Sequence, residues 1–334
     1  MHLQERIQLL VELGRYMASD HQDWMDARHK ASAENGWFLP EFVDLAIHNI
    51  TENFLDEEKL KAWTRESLYN IPEENTVPKN VGLIMAGNIP LVGFHDFLAI
   101  FISGHRQIIK TSSKDNTLIR HLVNYLISHN QELKEFISFG DMLKACDAYI
   151  ATGSNNSARY FDYYFAKYPH IIRRNRTSVA IIDGRETRTD LEKLSDDVFL
   201  YFGLGCRNVT KLFVPEGYDF VPLLDAFRKY DWLAQNNKYK NNFDYQLTLL
   251  ILNKRFYMSN ESVLLTESPS PFSPISLLHF EHYKDKADVL ASVKGNEDIQ
   301  CVVSSEDPGF GVSQKPRLMD YADGVDSLQF LLGL

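Results

Sequence analysis

Apolar and polar positions follow two different spacings along this chain. Up to about residue 75, apolar side chains recur every third or fourth position with charges between them, which predicts helices. Over residues 1–20 the same pattern indicates a helix instead of a signal peptide. From residue 80 onward, short apolar runs alternate with helical segments. Strands are predicted over 81–86, 107–110, 148–151, 178–183, 209–214, 262–265, 275–280 and 299–303. Helices are predicted over 91–103, from an N-cap at Asp115 to 127, and over 155–167, 190–201, 219–229 and 243–252.

Strands that alternate with helices predict an α/β protein whose largely parallel sheets carry helices on both faces. The length of 334 residues predicts about two domains. We expect a first lobe over 1–183 with a helical N-terminal segment, a second lobe over 184–305 and a closing segment over 306–334. The strand at 178–183 is therefore expected to belong to the first lobe.

Charge and cysteine content narrow the class of protein. The net charge is −10, so a sequence-independent nucleic-acid binder is not expected. The three cysteines, Cys146, Cys206 and Cys301, are far apart, which predicts neither disulfides nor a metal site and fits a reducing cytoplasm. The most apolar stretch, 81–104, contains polar residues and four glycines, which indicates a strand, a loop and a buried helix instead of a membrane span.

One of the cysteines has a sequence context that suits a nucleophile. Gly203 and Gly205 allow the backbone to turn just before Cys206, and a strand follows, so the thiol is predicted at a rigid loop-to-strand junction. The adjacent Arg207 would favour the thiolate. The alternative is a small buried apolar residue, as most unpaired cysteines are. Cys146 and Cys301 lack such glycines and are predicted to be packing residues.

Three predicted strands of the first lobe end in small or polar residues. The strand-to-turn junctions are 86–90 (Ala-Gly-Asn-Ile-Pro), 110–113 (Lys-Thr-Ser-Ser) and 152–154 (Thr-Gly-Ser). In an open parallel sheet, ligands bind beyond the carboxyl ends of strands. A Gly-Ser turn that opens a helix also suits a phosphate group. Taken singly, each turn is expected to be an ordinary βα connection, and the chain lacks the G-x-G-x-x-G dinucleotide fingerprint.

Taken in this order, these segments resemble the aldehyde dehydrogenase superfamily, and within it the LuxC-type acyl-CoA reductases. The matching segments are Ala86–Pro90, Ile109–Ser113, Ala151–Ser154, Gly203–Cys206 with its strand, Glu267 with Pro271–Ile275, Phe310-Gly311 and Asp323–Asp326. The resemblance spans roughly residues 80 to 334. It implies an aldehyde-dehydrogenase-like fold, a nucleotide-binding first lobe, a catalytic second lobe that carries Cys206, and an active site between the lobes.

The resemblance also implies roles for individual residues. Cys206 would attack an acyl thioester, and the Asn88 side chain and the Cys206 backbone N–H would hold the oxyanion. Hydride from a nicotinamide cofactor would then release an aldehyde. The residues implied to bind that cofactor are Lys110 at the adenosine ribose, Ser113 beside it, Gly153 and Ser154 at the pyrophosphate, and Glu267 at the nicotinamide ribose.

Two departures from the superfamily pattern bear on the reaction and the cofactor. Aldehyde-oxidising members have a glutamate base where this chain has 173–178 (Arg-Arg-Asn-Arg-Thr-Ser), so water would not be activated to hydrolyse the acyl-enzyme. That difference favours reduction. Many NAD-preferring members have a glutamate where this chain has Ser113, next to Lys114. A hydroxyl and an ammonium group tolerate a 2′-phosphate, which favours NADPH over NADH.

Several alternatives stay open at the level of sequence. The acyl donor would be acyl-CoA or an acylated partner enzyme, and a homo-oligomer is compatible with the sequence. An NAD(P)-dependent aldehyde or semialdehyde dehydrogenase is disfavoured by the missing glutamate. A cofactor-free cysteine acyltransferase would leave Lys110 and Glu267 without a purpose. A degenerate scaffold that only binds a partner would not need both Cys206 and Asn88.

Three other features each have two interpretations. His95, next to Asp96, is either a proton relay or, as we expect, a partly buried histidine with its hydrogen bonds satisfied. The arginines within 173–176 either bind the phosphates of CoA or form a solvated basic turn. The aromatic run 160–165 either lines an acyl channel or, as we expect, packs in the core.

Overall fold

Four helices occupy the first 65 residues, as the apolar spacing predicts. The computed structural model describes residues 1–65, 71–306 and 308–334. The helices are α1 Leu3–Met17, α2 Gln22–Glu34, α3 Pro40–Phe54 and α4 Glu57–Arg65. The predicted helical region extends to about residue 75, but 71–75 are not helical and 66–70 lie outside the described residues.

A first sheet follows these helices. Its strands are β1 Asn80–Ile84, β2 Arg106–Lys110, β3 Ile137–Phe139, β4 Ala148–Thr152 and β5 His170–Arg173. The connecting helices are α5 Phe94–Ser103, α6 Thr117–His129 and α7 Asn155–Phe165. All five strands are parallel, in the order β3-β2-β1-β4-β5. Successive strands are therefore added first on one side of β1, as β2 and β3, and then on its other side, as β4 and β5. The short strands β3 and β5 were not predicted.

A second sheet contains the remaining strands. They are β6 Thr177–Ile181, β7 Val209–Pro215, β8 Met258–Ser259, β9 Leu264–Glu267, β10 Leu277–Tyr283 and β11 Ile299–Ser304. Their order is β11-β6-β7-β10-β9-β8, and only the two-residue β8 pairs antiparallel. The helices of this region are α8 Arg188–Phe199, α9 Val221–Ala226, α10 Asn237–Leu252 and α11 Lys286–Val293, and α12 Ser327–Leu332 lies near the end of the chain. The predicted class, α/β with largely parallel sheets, is confirmed.

The chain divides into two units at a different point from the predicted boundary. Unit 1 contains 1–175 and 316–334, and unit 2 contains 176–315. The strand expected in the first lobe is β6, and it pairs with β7 and β11 in the second sheet. The boundary therefore lies before β6 instead of at 183. The repeating strand–helix pattern does not reveal which sheet a strand joins, because that depends on pairing with β11, more than a hundred residues later.

The apolar stretch 81–104 forms β1, a loop and α5, as predicted. Almost all of α5 is buried, including Phe97 and Ile100. Within the described ranges, no helix is both long and apolar enough to cross a bilayer. The same residues contain no group of three or more His, Cys, Asp or Glu side chains that could hold a metal ion.

A buried ion pair fastens the end of the chain to α5. The guanidinium of Arg173 donates to both carboxylate oxygens of Asp96, at 2.9 and 2.7 Å, and to Ser327 Oγ at 2.7 Å. Burial alone would raise the pKa of Asp96, but the charge and hydrogen bonds of Arg173 outweigh burial and hold that pKa below its usual value. Arg173 is therefore neither a solvated turn residue nor a phosphate ligand, and both sequence interpretations are wrong for this arginine.

The two other open features are also resolved. His95 is half-buried and donates from Nε2 to the Leu318 carbonyl at 2.8 Å, as expected for a satisfied histidine. The aromatic residues of α7 behave differently from the prediction of core packing. Phe165 stacks on Tyr149 with ring centroids 3.9 Å apart, whereas three tyrosines of the opposite helix face are solvent-exposed. These are Tyr160, Tyr163 and Tyr164.

Candidate active site

Cys206 is the second residue of a tight turn that leads into β7. The turn closes with a hydrogen bond from the Asn208 N–H to the Gly205 carbonyl, at 3.1 Å. In a planar trans peptide the N–H points opposite to the carbonyl. Because the Gly205 carbonyl faces the inside of the turn, the Cys206 N–H is directed away from it. The Cys206 side chain is half-exposed. A thiol and a backbone donor therefore stand together on a fixed turn, as a nucleophile requires.

The backbone just before this turn adopts an uncommon conformation. Tyr201, Phe202 and Gly203 have φ values of 54°, 58° and 73°, so three consecutive residues are left-handed. For a residue other than glycine this conformation costs roughly 1–2 kcal/mol. Burial of both aromatic side chains, with Phe202 packed near Tyr239, compensates the cost. The glycines predicted the turn, but its left-handed aromatic residues were not foreseeable from their residue types.

Asn208 joins the turn to the end of α8. Its side chain is fully buried, and Oδ1 accepts from the Gly205 N–H at 2.8 Å. On the other side, Nδ2 donates to carbonyl oxygens of the last residues of the helix and the residue after it. These carbonyls belong to Asp197 at 3.1 Å, Val198 at 3.3 Å and Leu200 at 2.8 Å. Asn208 was not among the site residues predicted from the sequence. A polar residue at the start of an apolar strand was the available signal.

The same helix, α8, also binds residues 311–313, close to the end of unit 2. The buried carboxylate of Asp197 accepts from the Gly311 N–H at 2.6 Å and from both the N–H and Oγ of Ser313, at 3.0 and 2.7 Å. Burial raises the pKa of Asp197, although these hydrogen bonds oppose the shift. Helix α8 is therefore tied at its carboxyl end both to residues 311–313 and, through Asn208, to the Cys206 turn.

The surroundings of the turn include a second cysteine. Ser178 Oγ donates to the Cys206 carbonyl and accepts from the Cys301 N–H, each at 3.1 Å. Arg207, expected to favour the Cys206 thiolate, donates from Nη1 to Cys301 Sγ at 3.1 Å. Cys301 is half-exposed, so the prediction that it is a packing residue is wrong. Cys146 is buried as predicted, and burial raises the pKa of its thiol.

In unit 1, the three turns singled out in the sequence meet at one edge of the first sheet. β1 lies between β2 and β4, and the strands are parallel, so the loop with Asn88 is flanked by the turns after Lys110 and Thr152. Asn88 is half-buried, whereas Lys110 and Ser154 are exposed. Such an edge, where the strand order changes direction, is where open α/β sheets bind ligands.

Asp115 connects two of these turns. The sequence predicted it as the N-cap of α6, but the cap is Asn116, and Asp115 Oδ2 accepts from the Leu91 N–H at 2.7 Å. Burial raises the pKa of Asp115 to about 6, opposed by that hydrogen bond, and its Oδ1 has no partner among the described residues. A Cβ at Gly87 would lie 2.8 Å from Ser112 Cβ, so the two loops approach closely there. The Asn88 loop is thus packed on the segment that carries Ser113.

The residues at this edge fit an anionic nucleotide. Ser154 is the N-cap of α7 and accepts from the Ser157 N–H at 3.3 Å, and the first turn of α7 contains no acidic residue. A Cβ at Gly153 would meet Phe161 and Ser157 at 2.9 Å, so the turn is packed tightly onto the helix. A phosphate at this edge would meet helix N–H groups, a hydroxyl and the exposed Lys110 ammonium, and these groups all suit an anion.

The strand register of the second sheet locates Glu267 relative to the start of β7. Glu267 ends β9 and stands level with Phe280 of β10, which is in turn level with Leu212 of β7. Leu212 is three residues, or about 10 Å, past the start of β7, and β9 lies two strands away. The Cys206 turn lies just before the start of β7. The strand register thus places the Glu267 backbone level with the middle of β7 and β10. The resemblance implies that Glu267 lies near the nicotinamide, and this role stays a prediction.

The predicted site residues are divided between the two units. Asn88, Lys110, Ser113, Gly153 and Ser154 belong to unit 1, and Cys206 and Glu267 belong to unit 2. That Asn88 and Cys206 hold one oxyanion stays a prediction.

Comparisons with known proteins extend this picture. The family model described as acyl-CoA reductase (LuxC) matches residues 73–221, a range that includes Asn88, Lys110 and Cys206. A curated relative, long-chain acyl-protein thioester reductase 2 from Photobacterium leiognathi, is 24% identical in an alignment 268 residues long that covers 67% of this chain. The chain spans about half, 52%, of the length of that relative.

Solved structures of low sequence identity share the fold. A Mycobacterium tuberculosis aldehyde dehydrogenase complexed with NAD+ superposes with a TM-score of 0.68 at 13% identity, over 94% of this chain and 76% of the other. Aldehyde dehydrogenase 21 from Physcomitrella patens superposes with a TM-score of 0.71 at 11% identity, over 100% and 84%. Together these findings show the aldehyde dehydrogenase fold and confirm the resemblance that the motifs predict, to the LuxC-type acyl reductases of the aldehyde dehydrogenase superfamily.

Proposed function

We propose that this chain reduces an acyl thioester to an aldehyde through an acyl-enzyme on Cys206, with a nicotinamide cofactor. The observation that carries the proposal is the Cys206 turn. It holds a half-exposed thiol beside a backbone N–H that is directed out of the turn. This combination suits attack on a carbonyl carbon followed by stabilisation of the resulting oxyanion.

The acylation step uses groups of the chain itself. The Cys206 thiolate forms a bond to the carbonyl carbon, and the electron pair of the C=O bond moves to its oxygen. The Cys206 N–H, with the Asn88 amide as the second proposed donor, stabilises that charge, and one such donor is typically worth about 3 kcal/mol. The carbonyl then re-forms, and the thiolate of the donor leaves. A bound reduced nicotinamide supplies the hydride that turns the acyl-enzyme into aldehyde.

The absence of a carboxylate at 173–178 favours reduction of the acyl-enzyme over its hydrolysis. The superfamily's oxidising members have a glutamate base there, and this chain has no carboxylate in that segment. The side chain of Arg173, the first residue of the segment, is buried on Asp96. General-base help to water is typically worth about 10²–10⁴-fold, so its loss leaves hydride as the main route from the acyl-enzyme. The name of the curated relative, a thioester reductase, supports the same direction.

For the cofactor we propose NADPH in preference to NADH. Ser113 and Lys114 are both exposed next to Lys110, at the edge that fits an anionic nucleotide. A 2′-phosphate there would meet a hydroxyl and two ammonium groups, and both ammonium charges attract it. Lys110, Gly153 and Ser154 are the other proposed contacts. Glu267 is the proposed contact of the nicotinamide ribose, on the resemblance alone.

Two acyl donors remain as candidates, acyl-CoA and an acylated protein. The name of the family model supports the first, and the name of the curated relative supports the second. The family model is described as an acyl-CoA reductase, and the curated relative as an acyl-protein thioester reductase. Both donors present the same thioester to Cys206. An oxidising aldehyde dehydrogenase, the second function compatible with the sequence, would instead release acid.

The fate of the acyl-enzyme tests the proposal. The chain is mixed with octanoyl-CoA, and intact-protein mass spectrometry follows the acyl adduct on the wild type and on Cys206→Ala. The adduct is expected on the wild type, should persist for minutes without cofactor, and should disappear with release of aldehyde when NADPH is added. Cys146→Ala is the matched control and should behave as the wild type. An adduct on Cys206→Ala, or rapid release of acid without NADPH, would contradict the proposal.

A further inference from the structure

We infer that Asn208 is the positioning residue for Cys206, because its buried side chain holds the 205–208 turn in the orientation that presents the thiol and the N–H. The inference rests on the proposed function in that Cys206 is taken as the nucleophile. Asn208 itself does not touch the reacting atoms in this role. It acts through the backbone of the turn.

Gly205 is bound by Asn208 at both of its backbone groups. The Gly205 N–H donates to Asn208 Oδ1 at 2.8 Å, and the Gly205 carbonyl accepts from the Asn208 N–H at 3.1 Å. A glycine has more conformational freedom than any other residue. With both groups bonded, the peptide planes on either side of Gly205 are fixed, and the second of these planes contains the Cys206 N–H.

The amide of Asn208 is itself anchored at the end of α8. Its Nδ2 lies 2.8 Å from the Leu200 carbonyl, with the carbonyls of Asp197 and Val198 also within hydrogen-bonding distance. Carbonyls at a helix end have no partner within the helix and need a donor. An amide supplies donors on this side and an acceptor towards Gly205. A carboxylate of the same shape could keep only the acceptor.

The backbone that enters the turn is strained between two contacts of Asn208. Tyr201 and Phe202 are left-handed, so the segment would relax towards ordinary φ values if nothing held both of its ends. Asn208 bonds to Leu200 before this segment and to Gly205 after it. It therefore spans the strained residues and fixes the place at which Cys206 emerges. A displacement of 1 Å at a reacting group can cost about 10²-fold in rate.

A buried asparagine elsewhere in unit 2 provides a matched control. Asn260, in the connection between β8 and β9, is also almost fully buried. Its Oδ1 accepts from the Val263 N–H at 3.1 Å, and its Nδ2 donates to the Leu224 carbonyl at 2.9 Å. It thus has the same kind of structural role as Asn208, in a loop without Cys206. Loss of stability alone would affect both residues alike.

The experiment compares Asn208→Asp with Asn260→Asp in the full chain. The reactivity of Cys206 is measured as the rate of alkylation by iodoacetamide between pH 6 and 9, with the Cys206 peptide followed by mass spectrometry. The rate of acyl transfer from octanoyl-CoA is measured in parallel, and thermal unfolding reports the folded fraction. Both variants are expected to lose stability. Only Asn208→Asp should slow acylation, by about 10²-fold, and move the midpoint of the alkylation profile to higher pH.

Wild-type acylation and an unmoved alkylation profile in folded Asn208→Asp would overturn the inference, as would an equal effect of Asn260→Asp. If Asn208→Asp does not fold, Asn208→Ser removes the same contacts without adding a charge and should slow both reactions of Cys206. Wild-type rates in that variant would overturn the inference too. Alkylation needs no acyl donor. A wild type that octanoyl-CoA fails to acylate would therefore count against the proposed function, while the alkylation profiles would still decide the role of Asn208.

Discussion

At the scale of single residues, Asp115 joins the loop that carries Asn88 to the segment that carries Ser113. Its carboxylate is buried, accepts one backbone N–H, and has a pKa raised to about 6 because burial disfavours the charged form. A carboxyl group with this environment has a consequence for stability as well as for geometry. Because burial penalises the charged form, Asp115 lowers the stability of the folded chain at neutral pH, where its carboxylate is charged.

We predict that the free energy of unfolding of the wild type falls as pH rises from 4 to 6, and that Asp115→Asn removes this fall. In that range the folded chain binds the proton and the unfolded chain does not, so the free energy of unfolding decreases as pH rises. The shift from 3.8 to about 6 corresponds to about 3 kcal/mol. Urea unfolding at several pH values measures it, with Asp26→Asn, at an exposed carboxylate, as control. Equal pH dependence in wild type and Asp115→Asn would contradict the prediction.

Ser113 is the second residue with a specific expected effect. Ser113→Glu should lower the affinity for NADPH relative to NADH, because a carboxylate would face the proposed 2′-phosphate. Such a charge contact is worth roughly 1–3 kcal/mol, or about 5- to 150-fold in the affinity ratio. Fluorescence titration with both cofactors measures the ratio. Ser128→Glu adds the same charge at an exposed position of α6 and should leave the ratio unchanged. An unaltered ratio in Ser113→Glu would exclude Ser113 from the cofactor site.

At the scale of elements, loops at the ends of strands are packed against each other more closely than their sequences indicate. Gly87 is the clearest case, since a Cβ there would lie 2.8 Å from the Cβ and Oγ of Ser112 and 3.0 Å from the Asp115 N. The neighbouring atoms include backbone, which cannot move aside independently. The glycine is therefore required by the contact between two loops.

Gly87→Ala is expected to separate these loops, with a cost of roughly 1–3 kcal/mol, the usual range for overpacking. The change should also slow acylation of Cys206 if Asn88 contributes to the oxyanion site. Gly140→Ala is the control, because its Cβ would have its nearest contacts at 3.4 Å. Urea unfolding and the acyl-adduct rate measure the two effects. Equal stability of the two variants would show that the loops can separate freely.

At the scale of the whole molecule, the last residues of the chain belong to unit 1 although they follow unit 2 in sequence. The attachment uses the buried pair of Asp96 and Arg173, with Ser327 Oγ donating to Asp96 at 2.9 Å. Removing one member of a buried pair leaves an uncompensated charge, whereas an exposed pair contributes little.

Asp96→Asn should therefore lower the free energy of unfolding by about 3–5 kcal/mol and make 316–334 more accessible to proteolysis. Asp162→Asn breaks the exposed pair with Arg174, whose nitrogen lies 2.8 Å from the carboxylate, and should change stability by less than about 1 kcal/mol. Urea unfolding and limited proteolysis compare the two variants. Similar losses in both would contradict the assignment of the buried pair.

The spacing of apolar residues was sufficient to predict the class of fold, because this periodicity reports which face of each element is buried. The same spacing predicted the long helices and the central strands, and the residue types alone located the glycine turn of Cys206. The order of the motifs along the chain also indicated the superfamily. Short strands such as β3 and β8 contain too few residues for a period to be recognised.

The relations between distant segments depend on the tertiary structure. β6 joins the second sheet because it pairs with β11, and Arg173 is buried because Asp96 and Ser327 surround it. Asn208 appears in the sequence as one polar residue before a strand, yet its hydrogen bonds connect α8 to the Cys206 turn. Residue type and spacing report local burial, whereas partners brought together from distant parts of the chain depend on how the strands are ordered and in which register they pair.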